Sequence, residues 1–429
     1  MTRRKRAYRT VAGRGNSAPE VDVTGWDRAY EYGLGYTMVV TSVPLGLWLL
    51  GIPYVVGLAF GGRAYALNLS GAVAVCALAA AVVLRRGWSL PLRWVSVAVT
   101  AGLAAAVWGA VGVAHHGLAQ TLTGLRLILV PVAMIVVVAA LRPDAVRRLL
   151  TLLSWLVVAN AVAGLVELAV GPARLVRIGF SPDRNIRYID GVFRVPGLTT
   201  FNAELGMLAG VYLLGYLACW LTPQARPRRW SWHAGAVAAT TCLAMSTSRS
   251  GALLVVCGVL GAVLLHRSRH RARRAVSLAL TGALVVAVAG AFAVLGAAGS
   301  RSLFERFTVW AGLLRGVPPA GFGIGGAGAA TYSRVADSPP VFVDNYYLNL
   351  GLQFGPVVMV VLIAAVVAAL AWLAHHSAAH PRWAMPIALV AGLAAASLVI
   401  DSWEFPAAML AAFLFCAHGL RPEPRPVPR

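Results

Sequence analysis

Lysine is almost missing from this chain: of its 37 basic residues only Lys5 is lysine, and the rest are arginine. Charge of any kind is scarce, at 12% of 429 residues, and acids number 15. Ordinary soluble domains carry about a quarter of their residues as charges, so that class is excluded. The formal charge of +22 does not point to nucleic acid either. The arginines punctuate the ends of apolar runs, as topology signals do, and form no basic stripe. Cysteine is sparse as well. Cys76, Cys219, Cys242, Cys257 and Cys416 fall inside apolar runs with no CxxC pair. That excludes a disulfide or zinc framework and leaves them as small core residues. The histidines show no metal-binding pattern. His266 and His270 sit among five arginines, His115 and His116 are adjacent, and His375, His376 and His380 share a short loop. No metal or other cofactor is expected.

What is present is apolar: 59% of the residues are hydrophobic, with a mean hydropathy of +0.74. The apolar residues come in runs of about 20, the length that crosses a bilayer core. The expected fold class is all-α, a polytopic membrane protein of about 12 transmembrane helices. The runs lie near 34–60, 66–84, 94–114, 121–141, 149–170, 200–221, 231–247, 250–265, 275–298, 346–374, 383–400 and 403–420. A transmembrane barrel would show short alternating segments instead. Residues 1–33 read as a basic cytoplasmic tail and 34–420 as the membrane domain. Residues 421–429 (RPEPRPVPR) read as a disordered, proline-rich cytoplasmic tail. No small-residue cleavage site follows the first run, so it is read as a retained span and not a signal peptide.

Basic residues set the orientation. With the N-terminus in the cytoplasm, 25 of them fall inside and 11 outside, and Arg126 lies within a span. Nine of the 11 are concentrated in two extracytoplasmic loops, 171–199 and 299–345. One holds Arg174, Arg177, Arg184, Arg187 and Arg194; the other holds Arg301, Arg306, Arg315 and Arg334. Only Asp183, Asp190, Glu305 and Asp337 oppose them there. A positive outer vestibule of this kind suits an anionic ligand such as a phosphate or diphosphate.

The second loop is the richer one. Leu303, Phe307, Trp310 and Leu314 recur at helical spacing and predict a short amphipathic helix on the outer leaflet, with Arg306 at headgroup depth. Gly321-Phe322-Gly323-Ile324-Gly325-Gly326 matches GxGxxG in form only, since no strand precedes it. It reads more simply as a flexible turn after Pro318-Pro319, with an anion-facing set of amides as the alternative. Asp344-Asn345-Tyr346-Tyr347 opens the next span. A helix there would align Asp344, Leu348, Gly351 and Gly355, with Asp344 as a general base or an arginine partner.

The first loop ends in Arg194-Val195-Pro196-Gly197 and runs through Asn202 into a span, with Glu204 one turn inside, where it needs a partner or a polar cavity. Ser246-Thr247-Ser248-Arg249-Ser250-Gly251 places another arginine between two apolar runs. Arg126 and Glu167 are isolated within spans and read as helix–helix pairs or snorkelled side chains.

In this order, these pieces resemble the O-antigen ligase/polymerase superfamily. The matching positions are Arg194, Gly197 and Asn202; Ser248 to Gly251; Arg306 and Trp310; Pro318, Gly321 and Gly323; and Asp344, Asn345, Tyr347, Leu348 and Gly355. The resemblance covers about 190–360. It implies glycosyl transfer on the outer face of a bacterial plasma membrane, both termini cytoplasmic, from a polyprenyl-diphosphate-linked glycan to a saccharide or lipid acceptor. No nucleotide sugar or redox cofactor would be needed. Arg194, Arg249 and Arg306 would stabilise the departing diphosphate, and Asp344 would take the acceptor proton. Arg187, Arg301, Asn202, Asn345 and Tyr347 would contribute to substrate binding. Ligases usually carry histidine at the position of Asp344, which tilts the expectation toward a polymerase or a divergent ligase. The competing expectation is a transporter or flippase for a lipid-linked oligosaccharide, drawn from the twelve-span count. The acidic loop motif of shape–elongation–division glycan polymerases cannot be aligned.

Overall fold

The computed structural model describes residues 23–52, 63–86, 92–182, 185–189, 191–222, 225–265, 309–310, 312–333, 343–377 and 380–420. In chain order these form α1 (Val23–Ser42), α2 (Pro44–Leu49), α3 (Arg63–Arg86), α4 (Leu92–His116), α5 (Leu118–Ala140), α6 (Pro143–Val170) and α7 (Pro172–Arg177). The strands β1 (Arg187–Ile189) and β2 (Val192–Arg194) follow, then α8 (Asn202–Leu221), α9 (Trp230–Ser246) and α10 (Arg249–Leu265). The last helices are α11 (Tyr346–Phe354), α12 (Pro356–Ser377), α13 (Ala384–Ala396) and α14 (Pro406–Gly419). The all-α expectation therefore holds, with one two-stranded hairpin as the described sheet. Among the described residues, five helices are long and apolar enough to cross a membrane: Leu67–Arg85, α5, α6, α8 and α12. The apolar run at 275–298, Arg301, Arg306, His266, His270 and the C-terminal tail lie outside the described residues.

Prolines set many of the helix starts. Pro44, Pro143, Pro172 and Pro406 stand in the first turn, where a missing N–H costs nothing and the fixed φ suits the helix. The same chemistry corrects the continuous span expected at 346–374. Gly355 has φ +93° and Pro356 follows it, so the chain breaks there into α11 and α12. Asp344 precedes the helix and so does not share a helical face with Leu348 and Gly351. The first helix also differs from the run at 34–60. It begins at Val23, because its polar first turns find ion pairs: Arg142 with Asp27 at 2.5 Å and Arg148 with Glu31 at 2.5 Å.

The helix ends sort into two sets. One end holds those ion pairs, the Ser377 Oγ to Leu265 carbonyl bond and His418 Nε2 beside the Ala225 carbonyl. The other end holds the α1–α2 corner, the 171–201 segment, the α9–α10 turn, the glycine-rich loop and residues 397–405. Helix α8 occupies the centre, packed against α9, α10, α13 and α14. Of its membrane-length window 78% is buried, against 6% for α12. Exposed Val357, Val360, Val361 and Val367 make α12 a helix suited to a lipid surround.

The α8–α10 contact is made by backbone. A Cβ on Gly251 would stand 2.3 Å from the Gly206 carbonyl oxygen, and one on Gly210 would stand 2.7 Å from the Gly251 carbonyl oxygen. Small residues permit this approach, which supplies much of helix association in an apolar solvent. Substituting Val for Gly251 must separate the two helices. We expect a loss of about 1–3 kcal/mol, read as a lowered midpoint of thermal unfolding in detergent; an unchanged midpoint would contradict this packing.

Candidate functional site

The segment from Arg194 to Phe201 crosses one end of the bundle without helix, so its amides need outside acceptors. Three buried side chains provide them. Glu167 Oε2 accepts from Gly197 N at 2.9 Å, Asn160 Oδ1 from Leu198 N at 2.9 Å, and Glu204 Oε2 from Thr200 N at 3.0 Å. Asn160 in turn donates to the Ser42 carbonyl at 3.2 Å, which ties the segment to the α1–α2 corner. Glu204 is thus the partnered acid expected. Glu167 differs from the helix–helix pair expected, because its partner is loop backbone.

Arg194 ends β2, directly opposite Arg187 in the antiparallel hairpin. Like charges in that relation repel unless other groups claim them. Arg194 turns to the α9–α10 connection, where Nε donates to Thr247 Oγ1 at 2.8 Å and Nη2 to the Thr247 carbonyl at 2.9 Å. Nε also lies 3.3 Å from the Ser246 carbonyl. The Asn202 amide oxygen accepts from Nε at 3.1 Å and from Nη2 at 3.2 Å in the orientation that satisfies both groups. Arg187 remains exposed. Arg249 is half-buried at the start of α10 and has no hydrogen-bond or ion-pair partner among the described residues.

The glycine run is not a solvated turn. Gly321, Gly323, Gly325 and Gly328 all have positive φ, and the loop lies buried between α4, α5 and α11. Ile324 N donates to the Trp108 carbonyl, Phe322 N to Leu352, Gly323 N to the Gln353 carbonyl and Gly325 N to Gln353 Oε1. Gln120 donates to the Gly325 carbonyl at 2.6 Å and Trp108 Nε1 to the Ala320 carbonyl at 2.7 Å. Those amides are engaged by protein acceptors, which also removes the alternative of an anion-facing set. Trp310, Leu313 and Leu314 pack inward on Ala327, Val343, Leu348 and Leu352.

The Asp344 region forms a second group at the same end. Asn345 caps α11, its Oδ1 accepting from Leu348 N at 3.0 Å, and Tyr347 donates to the Ala394 carbonyl at 3.1 Å. Both expected ligands are therefore engaged in positioning α11. Half-buried Asp344 lies within electrostatic range of Asp401, a residue that sequence reasoning passed over. Asp401 is 3% exposed, and Asn349 stands beside it without closing a hydrogen bond of normal geometry. Glu404 accepts from Ala329 N at 2.9 Å and Asn349 Nδ2 at 3.2 Å, and Arg126 supplies a nearby positive charge. Asn349 Oδ1 accepts from Gln353 Nε2 at 2.5 Å. The readable signal was two acids three residues apart between apolar runs, and two amides at i, i+4 on α11.

Arg194, Asn202 and Arg249 thus gather around one turn, while Asp344 sits with α11 and α13. Phe201 against Phe405, ring centroids 5.7 Å apart, links the two groups. No cluster of three or more potential metal ligands occurs among the described residues. Comparison of the chain with family models, curated proteins and solved structures gives no match.

Gln353 is the side chain most easily tested. Replacing it by Leu removes the acceptor of Gly325 N, a buried amide. The expected cost is about 1–3 kcal/mol of local stability, seen as faster hydrogen exchange across 321–328, whereas unchanged protection would show that the loop does not depend on it.

Proposed function

We propose that the end of the bundle carrying Arg187, Arg194, Arg249 and Asp344 faces outward from a bacterial plasma membrane, with both termini cytoplasmic. There the chain transfers a glycan from a polyprenyl diphosphate to a saccharide or lipid acceptor. Together with the loop arginines outside the described residues, this end supplies the positive vestibule such a donor requires. Twelve spans with two extracytoplasmic loops accommodate the arrangement.

The observation that carries the reading is Arg249. A half-buried guanidinium without a hydrogen-bond or ion-pair partner among the described residues, at the first residue of a helix, calls for an anion. The hairpin arginines beside the α9–α10 turn add to the same field. In the proposed step the acceptor hydroxyl oxygen attacks the anomeric carbon, and the bond from that carbon to the diphosphate oxygen breaks. The electron pair leaves with the diphosphate, held by Arg249 and Arg306. The hydroxyl proton passes to the Asp344 carboxylate. Neither nucleotide nor redox chemistry enters the balance. The polyprenyl tail would lie along an apolar flank of the bundle.

One observation favours the transporter reading. The break at Gly355 between α11 and α12 makes a discontinuous helix, a device that transporters use at their binding sites. The location of uncut donor separates the two. Substituting Ala for Arg249 or Asp344 should reduce transfer by about 100-fold or more while the protein still inserts, and lipid-linked glycan should collect on the outer leaflet. Wild-type rates from both variants would sink the assignment, and accumulation on the cytoplasmic leaflet would favour transport.

A further inference from the structure

Thr247 is the one non-glycine residue with positive φ among the described residues, at φ 46° and ψ 34°. A β-branched residue rarely adopts the left-handed region, where glycine or asparagine is the common choice. A plain connection between α9 and α10 would not need threonine there. What threonine adds is a hydroxyl, and that hydroxyl accepts from Arg194 Nε at 2.8 Å. The Thr247 carbonyl accepts from Nη2 at 2.9 Å, and Val195 N donates to the Met245 carbonyl at 3.3 Å. The end of β2 therefore grips the turn at three consecutive residues or their neighbours.

The turn governs where α10 begins. Ser248 Oγ accepts from Gly251 N at 3.3 Å, and the Ser248 carbonyl accepts from Ala252 N at 3.2 Å. Ser248 also abuts the Gly206 backbone, where an added Cβ would stand 2.0 Å from Ser248 Cβ. Arg249 follows immediately. The Nε–Nη2 edge of Arg194, one of the two edges that could fork onto a phosphate, is engaged by Thr247 and Asn202.

We propose that Arg194 is a positioning residue that acts through Thr247: it holds the left-handed turn so that Arg249 is presented to the donor diphosphate. The proposal rests on the glycosyl-transfer reading for its effect on rate, though not for the clamp itself.

The experiment compares Arg194→Ala, Thr247→Gly and the double variant in the full-length protein in detergent. Glycine keeps the left-handed turn unaided. Arg194→Ala should lower kcat/KM by about 100-fold through misplacement of Arg249, Thr247→Gly should stay near wild type, and the double variant should regain most of the activity lost. A double variant as inactive as Arg194→Ala would overturn the proposal and make Arg194 a direct substrate contact. An inactive Thr247→Gly would overturn it as well. Hydrogen exchange at residues 248–252 gives the readout that needs no substrate: faster in Arg194→Ala and restored in the double variant. Unchanged exchange in Arg194→Ala would remove the clamp. If the wild-type protein shows no transfer, the functional reading fails, yet the exchange result still decides whether Arg194 holds the turn.

Discussion

A stretch of chain that crosses a helical bundle without being helical must bring every one of its amides to an acceptor, because lipid supplies none. Much of one end of this molecule follows from that constraint. The segment from Arg194 to Phe201 is held by Glu167, Asn160 and Glu204, each reaching a different amide from a different place. Asn160 passes the hold on to Ser42, and Arg194 passes it on to the α9–α10 turn. The glycine-rich loop solves the same problem with the Trp108, Leu352 and Gln353 carbonyls and Gln353 Oε1 as acceptors. Polar residues within these apolar runs serve first as partners of loop backbone.

That ordering of demands separates the two groups of polar residues. Around Thr247, guanidinium and carbonyl groups lock a turn while Arg249 has no partner among the described residues. Around Asp344, amides and acids form a chain in which Glu404 has donors and Asp401 has none among the described residues. A fully satisfied set rigidifies its neighbourhood, whereas a group left over is available to something that is not protein. Among the described residues, Arg249 and Asp401 stand without a hydrogen-bond partner, one cationic and one acidic, and Phe201 packs on Phe405 between their turns.

The helices were legible because length and apolarity dictate them. So was the polar character of the Arg194–Glu204 segment and the Ser246–Gly251 turn, since charges there interrupt long apolar runs. The break at Gly355-Pro356 escaped a reading by hydropathy, which averages over the two residues that stop the helix. The burial of the glycine run escaped for another reason. Its partners Trp108 and Gln120 lie some two hundred residues earlier, and no local pattern couples them. Asp401 and Glu404 sat at the seam of the last apolar pair, where two acids look like a polar hairpin. The role of Thr247 depends on one dihedral angle and had no local signature beyond its place between two serines.

The contact of α8 with α10 has a consequence for how this protein tolerates change. Helices that meet through side chains can absorb a substitution by rotamer adjustment, so damage grows gradually with size. Helices that meet through peptide groups have no such give, because nothing between Gly206 and Gly251 can rotate away. Sequence drift near the α9–α10 turn is therefore expected to be all-or-none: frozen along that seam, and permissive on the lipid-facing surface of α12.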